Sequence, residues 1–125
     1  MGQSQRDVAE LCGRLYATLG ALERIGTGTD GLGRPGAAHR VVTNGPRDKF
    51  QRLLRQVGEH LHAAKAWQNE ARAAAATELF QAIPGFLPSG GIPTGNFGEA
   101  EQEAFDRGRE AQRSAYEEKF GGLLS

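Results

Sequence analysis

Apolar residues recur at helical spacing in three stretches of this chain. From Ser4 to about Ile25, Val8, Leu11, Cys12, Leu15, Leu19 and Leu22 fall along one face of an α-helix. Beside that stripe runs a column of small residues, Ala9, Gly13, Ala17 and Ala21, with Gly20 next to it. Two glycines inside a helix cost on the order of 1 kcal/mol each relative to alanine. Close approach of another helix on that side would offset the loss, so the column is a candidate interface. Ser4 with Asp7 three residues on has the form of a capping box, and Gly26 is a stop signal.

The second stretch, Pro46 to Ile83, reads as one long helix. Asn44-Gly45-Pro46 starts it, Asp48 places a carboxylate in its first turn, and Pro84-Gly85 ends it. Phe50, Leu54, Val57, Leu61, Ala64, Gln68, Ala71, Ala75 and Leu79 recur in the manner of a coiled-coil seam. Gln68 is the polar member of that seam, where it can set register or partner choice. Alanine dominates the second half, so a partner is expected to sit closest near Ala71 to Ala76. A helix of this length spans roughly 57 Å, and the first helix, at about 33 Å, covers little more than half of it. The remainder needs the third helix or another chain.

The third stretch, Glu99 to about Phe120, is polar nearly all round. Ala104, Gly108, Ala111 and Ala115 form a narrow small face, expected to lie on the alanine-rich half of the long helix. Glu103–Arg107, Glu110–Arg113 and Arg113–Glu117 are spaced for ion pairs along the helix surface. The expected architecture is therefore all-α and a single domain, with one long central helix and two shorter ones. The segments are a helix over about 4–25, a loop over 26–45, the long helix over about 46–83, a loop over 84–98 and a helix over about 99–120.

The first loop is glycine-rich and contains His39 to Thr43 as a candidate short extended piece. A loop this long inside a small domain is expected to be functional or disordered, and if ordered, held by neighbouring molecules. It matches G-x-G-x-x-G twice, from Gly26 and from Gly31. Neither match follows a strand and opens a helix, so neither is read as a phosphate site. The second loop carries Phe86, Leu87, Ile92 and Phe97, either anchors onto the chain's own core or contacts for a partner.

Length and charge narrow the possibilities. A chain of 125 residues supports one modest core. A net charge of zero gives no bulk attraction to nucleic acid or to an anionic membrane. Residues 84–125 are the acidic part, with seven acidic and four basic groups against four and six over 46–83. Cys12 is alone, so no internal disulfide forms and a reducing compartment fits. No apolar run approaches the roughly 20 residues of a membrane span, and no signal-peptide core stands at the N-terminus. Met1-Gly2 is followed by Arg6 where a myristoylation motif requires Ser or Thr. The expected location is cytoplasmic or inside a virion.

Candidate chemistry is sparse. Glu59-x-x-His62 is half of a di-iron carboxylate motif, and no second half accompanies it. His60 and His62 point different ways on a helix. Cys12 lies in an apolar stripe and reads as a buried thiol. No catalytic residue, cofactor or metal is assigned. The leading expectation is a non-enzymatic structural or adaptor subunit of a larger assembly, such as a phage particle. Its partners would be other protein subunits, copies of itself included. Candidate contacts are Ala9, Gly13, Ala17, Ala21, Trp67, Gln68, Phe86, Leu87, Ile92 and Phe97. The alternative is a helical nucleic-acid-associated subunit or inhibitor using Arg47, Lys49, Arg52 and Arg55.

Overall fold

The computed structural model describes residues 3–124, and these form helices, turns and loops with no strand. The order is α1 (Gln5–Thr27), α2 (Ala37–Thr43), α3 (Pro46–Arg55), α4 (Val57–Ala66), α5 (Glu70–Ala82) and α6 (Glu99–Phe120). Short 3-10 turns follow α5 at Ile83–Phe86 and α6 at Gly121–Leu124. The all-α class is as expected. The residues of the myristoylation comparison, Met1 and Gly2, lie outside the described part.

The buried axis of the molecule is α1. Its start is the capping box read from the sequence: the Ser4 hydroxyl accepts from the Asp7 N–H at 3.1 Å, and the Asp7 carboxylate accepts from the Ser4 N–H at 3.4 Å. Cys12, Leu15, Tyr16, Leu19, Leu22 and Ile25 are buried along one side, and Ala9, Gly13, Ala17 and Ala21 along another. Burying a leucine or isoleucine side chain contributes about 1.5–3 kcal/mol, so this helix dominates the stability of the fold. The Tyr16 ring meets Phe50 and Phe105 edge-on, with centroids 6.4 and 5.7 Å away, and ties α1 to α3 and α6.

Helix α6 lies along α1 and runs parallel to it. Arg14 donates to Gln112 at 3.0 Å, the Thr18 and Tyr116 hydroxyls are 2.8 Å apart, and Arg24 donates to the Leu124 carbonyl, so contacts advance together along both helices. Glycines set the spacing. A Cβ at Gly13 would overlap the Phe105 carbonyl oxygen, and a Cβ at Gly108 would overlap that of Glu10. The small face of α6 therefore meets α1, not the alanine-rich segment expected from the sequence. It runs through Ala104, Phe105, Gly108 and Tyr116, while Ala111 and Ala115 are exposed.

Pro46 to Ile83 is not one helix, which corrects the long central helix. Around Gln56 the chain tightens, its N–H bonding the Leu53 carbonyl at 3.1 Å, and α4 begins at Val57. The second break is sharper. The Gln68 N–H bonds back to Lys65, Gln68 adopts φ 57°, and Asn69 caps α5 by accepting the Arg72 N–H at 3.0 Å. Past the two breaks α4 and α5 pack on α1, while α3 touches it through Phe50 on Tyr16. The seam follows that path: Phe50, Ala64, Ala75 and Leu79 are buried, while Gln68 and Ala71 are exposed.

Both loops are held by the chain itself. Residues 37–43 form α2, not an extended piece. Gly36 at φ 80° starts it, and Ala38, Val41 and Val42 turn inward. The Phe97 N–H bonds the Val42 carbonyl at 2.9 Å, the Gly45 N–H bonds Asn96 at 2.8 Å, and the Arg47 Nε donates to the Ile92 carbonyl at 2.6 Å.

Candidate functional site

A hollow lies where the glycine-rich connection crosses α1 and α6. It encloses about 300 Å³. Tyr16, Gly20 and Arg24 of α1 form one wall, and Arg109, Arg113 and Tyr116 of α6 form the other. Leu32 is the roof, and both its backbone groups are held: its carbonyl accepts from the Tyr16 hydroxyl at 2.5 Å, and its N–H donates to Glu23 at 3.1 Å. The neighbouring amides are also committed, Gly33 to the Asp30 carbonyl and Arg34 to that of Gly31. The successive amides of Leu32, Gly33 and Arg34 are thus not free to cradle a phosphate, although the glycines beside them match the fingerprint.

Charges line this hollow unevenly. Arg113 is shared between Glu110 at 2.6 Å and Glu117 at 3.1 Å, and its guanidinium holds the Glu110 carboxyl below the usual carboxylate range. Arg24 is engaged by the Leu124 carbonyl. Arg109 has Asp106 only at 3.8 Å, and its Nε is buried without a hydrogen-bond partner. Below them, burial pushes the Tyr16 phenol up to about 12 and raises that of Tyr116. The Thr18 hydroxyl gives its proton to the Arg14 carbonyl at 2.8 Å, so it accepts the one from Tyr116.

The residues singled out from the sequence are scattered. Gly13 is consumed by α6 of the same chain, Ala9 is buried, and Ala17 and Ala21 form part of the hollow's floor. Ile92 and Phe97 are core anchors, with Phe97 edge-on to Phe105 at 6.1 Å. Phe86 is half-buried against the core, and Leu87 is exposed. Gln68 is an exposed bend residue with no seam contact.

Trp67 has a structural task despite being 53% exposed. Its indole N–H donates to the Gly26 carbonyl at 2.8 Å, and Arg72 stacks on its ring at 4.3 Å while donating to the Ile25 carbonyl at 2.5 Å. Together they satisfy the last carbonyls of α1 and set a cation at the negative end of its dipole.

The basic cluster is divided. Arg47 is spent on Ile92, Lys49 is half-buried, and Arg52 and Arg55 are exposed one turn apart. Glu59 and His62 are exposed, and no group of three metal-ligating side chains occurs among the described residues. Cys12 is fully buried, and burial pushes its thiol up to about 12. Among the described residues no helix is long and apolar enough to cross a membrane.

Sequence reasoning missed the hollow because its walls come from residues 16–33 and 109–124. Arg113 read as a surface pair and Arg109 carried no signal at all. The chain matches no protein-family model, no curated protein and no solved structure.

Proposed function

We propose that this protein is a non-enzymatic structural or adaptor subunit that docks on another protein through the corner after α5. The observation that carries this reading is the exposure of Phe80 (38%) and Leu87 (41%) on either side of the Ile83–Phe86 turn. Of the exposed large apolar side chains, Trp67 already caps α1, whereas these two sit outside the hydrophobic core. Pro84 and Pro88 stiffen the corner and lower the entropy lost on docking.

Native mass spectrometry of the protein purified from its own source tests this. Defined protein partners, or copies of the chain, are expected with the unaltered protein. A Phe80→Glu, Leu87→Glu double variant should fold and come alone. A bare monomer from the natural source, or a double variant that keeps its partner, overturns the reading.

A second reading rests on Arg52 and Arg55, neighbours on the exposed face of α3. Two free arginines would give weak, salt-sensitive binding to nucleic acid, with log affinity falling against log salt at a slope of about 2. Charge reversal at both should abolish it without unfolding the chain. No salt-sensitive binding by the unaltered protein ends this reading.

A further inference from the structure

Arg109 stands between two hollows. One is the 300 Å³ cleft under Leu32; the other, of about 270 Å³, opens towards His39 and Gln102, and Gly33 and Arg109 line both. The other two arginines of the first cleft are committed, Arg24 to a carbonyl and Arg113 to two carboxylates. Arg109 is not. Its nearest carboxylate oxygen is beyond hydrogen-bond reach at 3.8 Å, and its Nε–H is buried and bonds nothing. The side chain is 31% exposed, and its terminal N–H groups make no hydrogen bond to another described residue, so an incoming oxyanion would meet an uncommitted cation and form a charge-assisted bond with it.

We propose that this cleft binds a small organic molecule carrying one oxyanion group, carboxylate or phosphate, on an apolar ring or chain. The oxyanion sits on Arg109, and the apolar body lies against Ala17, Gly20 and Leu32. Size and charge define the class. A volume of about 300 Å³ is at the lower end for ligand pockets, too small for a dinucleotide. Of the three arginines that line the cleft, Arg24 is spent on the Leu124 carbonyl and Arg113 on Glu110 and Glu117, which leaves Arg109 as one uncommitted cation, suited to a single oxyanion over a polyphosphate. Gly20 leaves room along the α1 wall, since a Cβ there would meet nothing closer than Leu32 at 3.7 Å.

The test is an amide-detected NMR titration of the full chain with benzoate, phenyl phosphate, inorganic phosphate, tripolyphosphate and phenol. Saturable shifts at Tyr16, Leu32 and Arg109 are expected with benzoate or phenyl phosphate, and the tighter of the two identifies the oxyanion. Inorganic phosphate and tripolyphosphate should bind more weakly, and phenol not at all. Arg109→Gln should lower affinity roughly tenfold or more. Gly20→Leu should block the cleft from the opposite wall with Arg109 intact, so the result does not depend on one variant folding. The proposal is overturned if no saturable shift arises at roughly millimolar ligand. Shifts that map elsewhere, tripolyphosphate binding tightest, or affinity unchanged in a folded variant would overturn it equally.

Discussion

Replacing Gly108 by alanine should destabilise this protein although it places a better helix former inside a helix. The propensity gain is up to about 1 kcal/mol. Against it stands a methyl group that would overlap the Glu10 carbonyl oxygen and come 3.0 Å from the carbonyl carbon, where carbon atoms normally rest about 3.5–4.0 Å apart. The obstacle is backbone, so no rotamer change relieves it, and α1 and α6 must separate by roughly 0.5–1 Å. That loosens the packing of Tyr16 on Phe105. Overpacking of this kind costs about 1–3 kcal/mol, and rigid backbone puts it at the upper end. The net loss is therefore about 2 kcal/mol, or roughly 6–10 °C in melting temperature for a chain of this size.

Gly58→Ala is the matched control. Nothing lies within 4 Å of a Cβ there, so the same substitution should be neutral or stabilising by up to about 1 kcal/mol. Urea unfolding followed by far-UV circular dichroism reads both. A Gly108→Ala midpoint at or above that of the unaltered protein, with unchanged m, would refute the account of the helix contact. The Gly13→Ala, Gly108→Ala pair should lose less than the sum of the single losses, because helices already parted accept the second methyl more easily.

Three further outcomes follow from the buried groups. The fold holds the Tyr16 proton more tightly than the unfolded chain, so its contribution is complete below pH 10 and is lost as pH rises from 10.0 through about 12, on the order of 2–3 kcal/mol. In an alkaline titration tyrosinate absorbance should therefore appear together with loss of helix; ionised tyrosine in an intact helical protein near pH 10 would contradict this. Cys12, with its thiol at about 12 and fully buried, should react with iodoacetamide at pH 8 only at the rate of unfolding, and rapid labelling of the native protein would show the thiol to be accessible. Arg72→Gln removes the donor to the Ile25 carbonyl and the cation at the end of α1, and should cost about 1–2 kcal/mol with a change in Trp67 fluorescence. Unchanged hydrogen exchange over residues 24–28 in that variant would show that the cap contributes nothing.

Local signals and periodicity were enough for much of the fold. The Ser4–Asp7 box, Pro46 at the start of α3, the apolar stripe of α1 and the span of α6 were all legible, because each depends on residues within a turn or two of one another. The break at Gln68 was legible in part: Asn69 is a preferred cap and announces a new helix start, but the continuous seam pattern outweighed it. A seam records only which side is apolar, and a bent chain wrapping a central helix keeps the same side inward as a straight one.

Tertiary structure decided what the small residues meet. The column Ala9, Gly13, Ala17, Ala21 correctly announced a close helix, yet nothing local distinguishes a partner 90 residues away in the same chain from one in another chain. Loop and hollow were decided in the same way. The 26–45 connection is ordered by Tyr16, Glu23 and residues beyond 90, and the Arg109 cleft joins residues 16–33 to residues 109–124. The amino-acid sequence by itself determined that this chain is helical and where α1, α3 and α6 start. Which faces meet, and that Arg109 is left with a buried donor and no acceptor, was decided by close packing in three dimensions, where one added methyl or one missing partner outweighs any local preference.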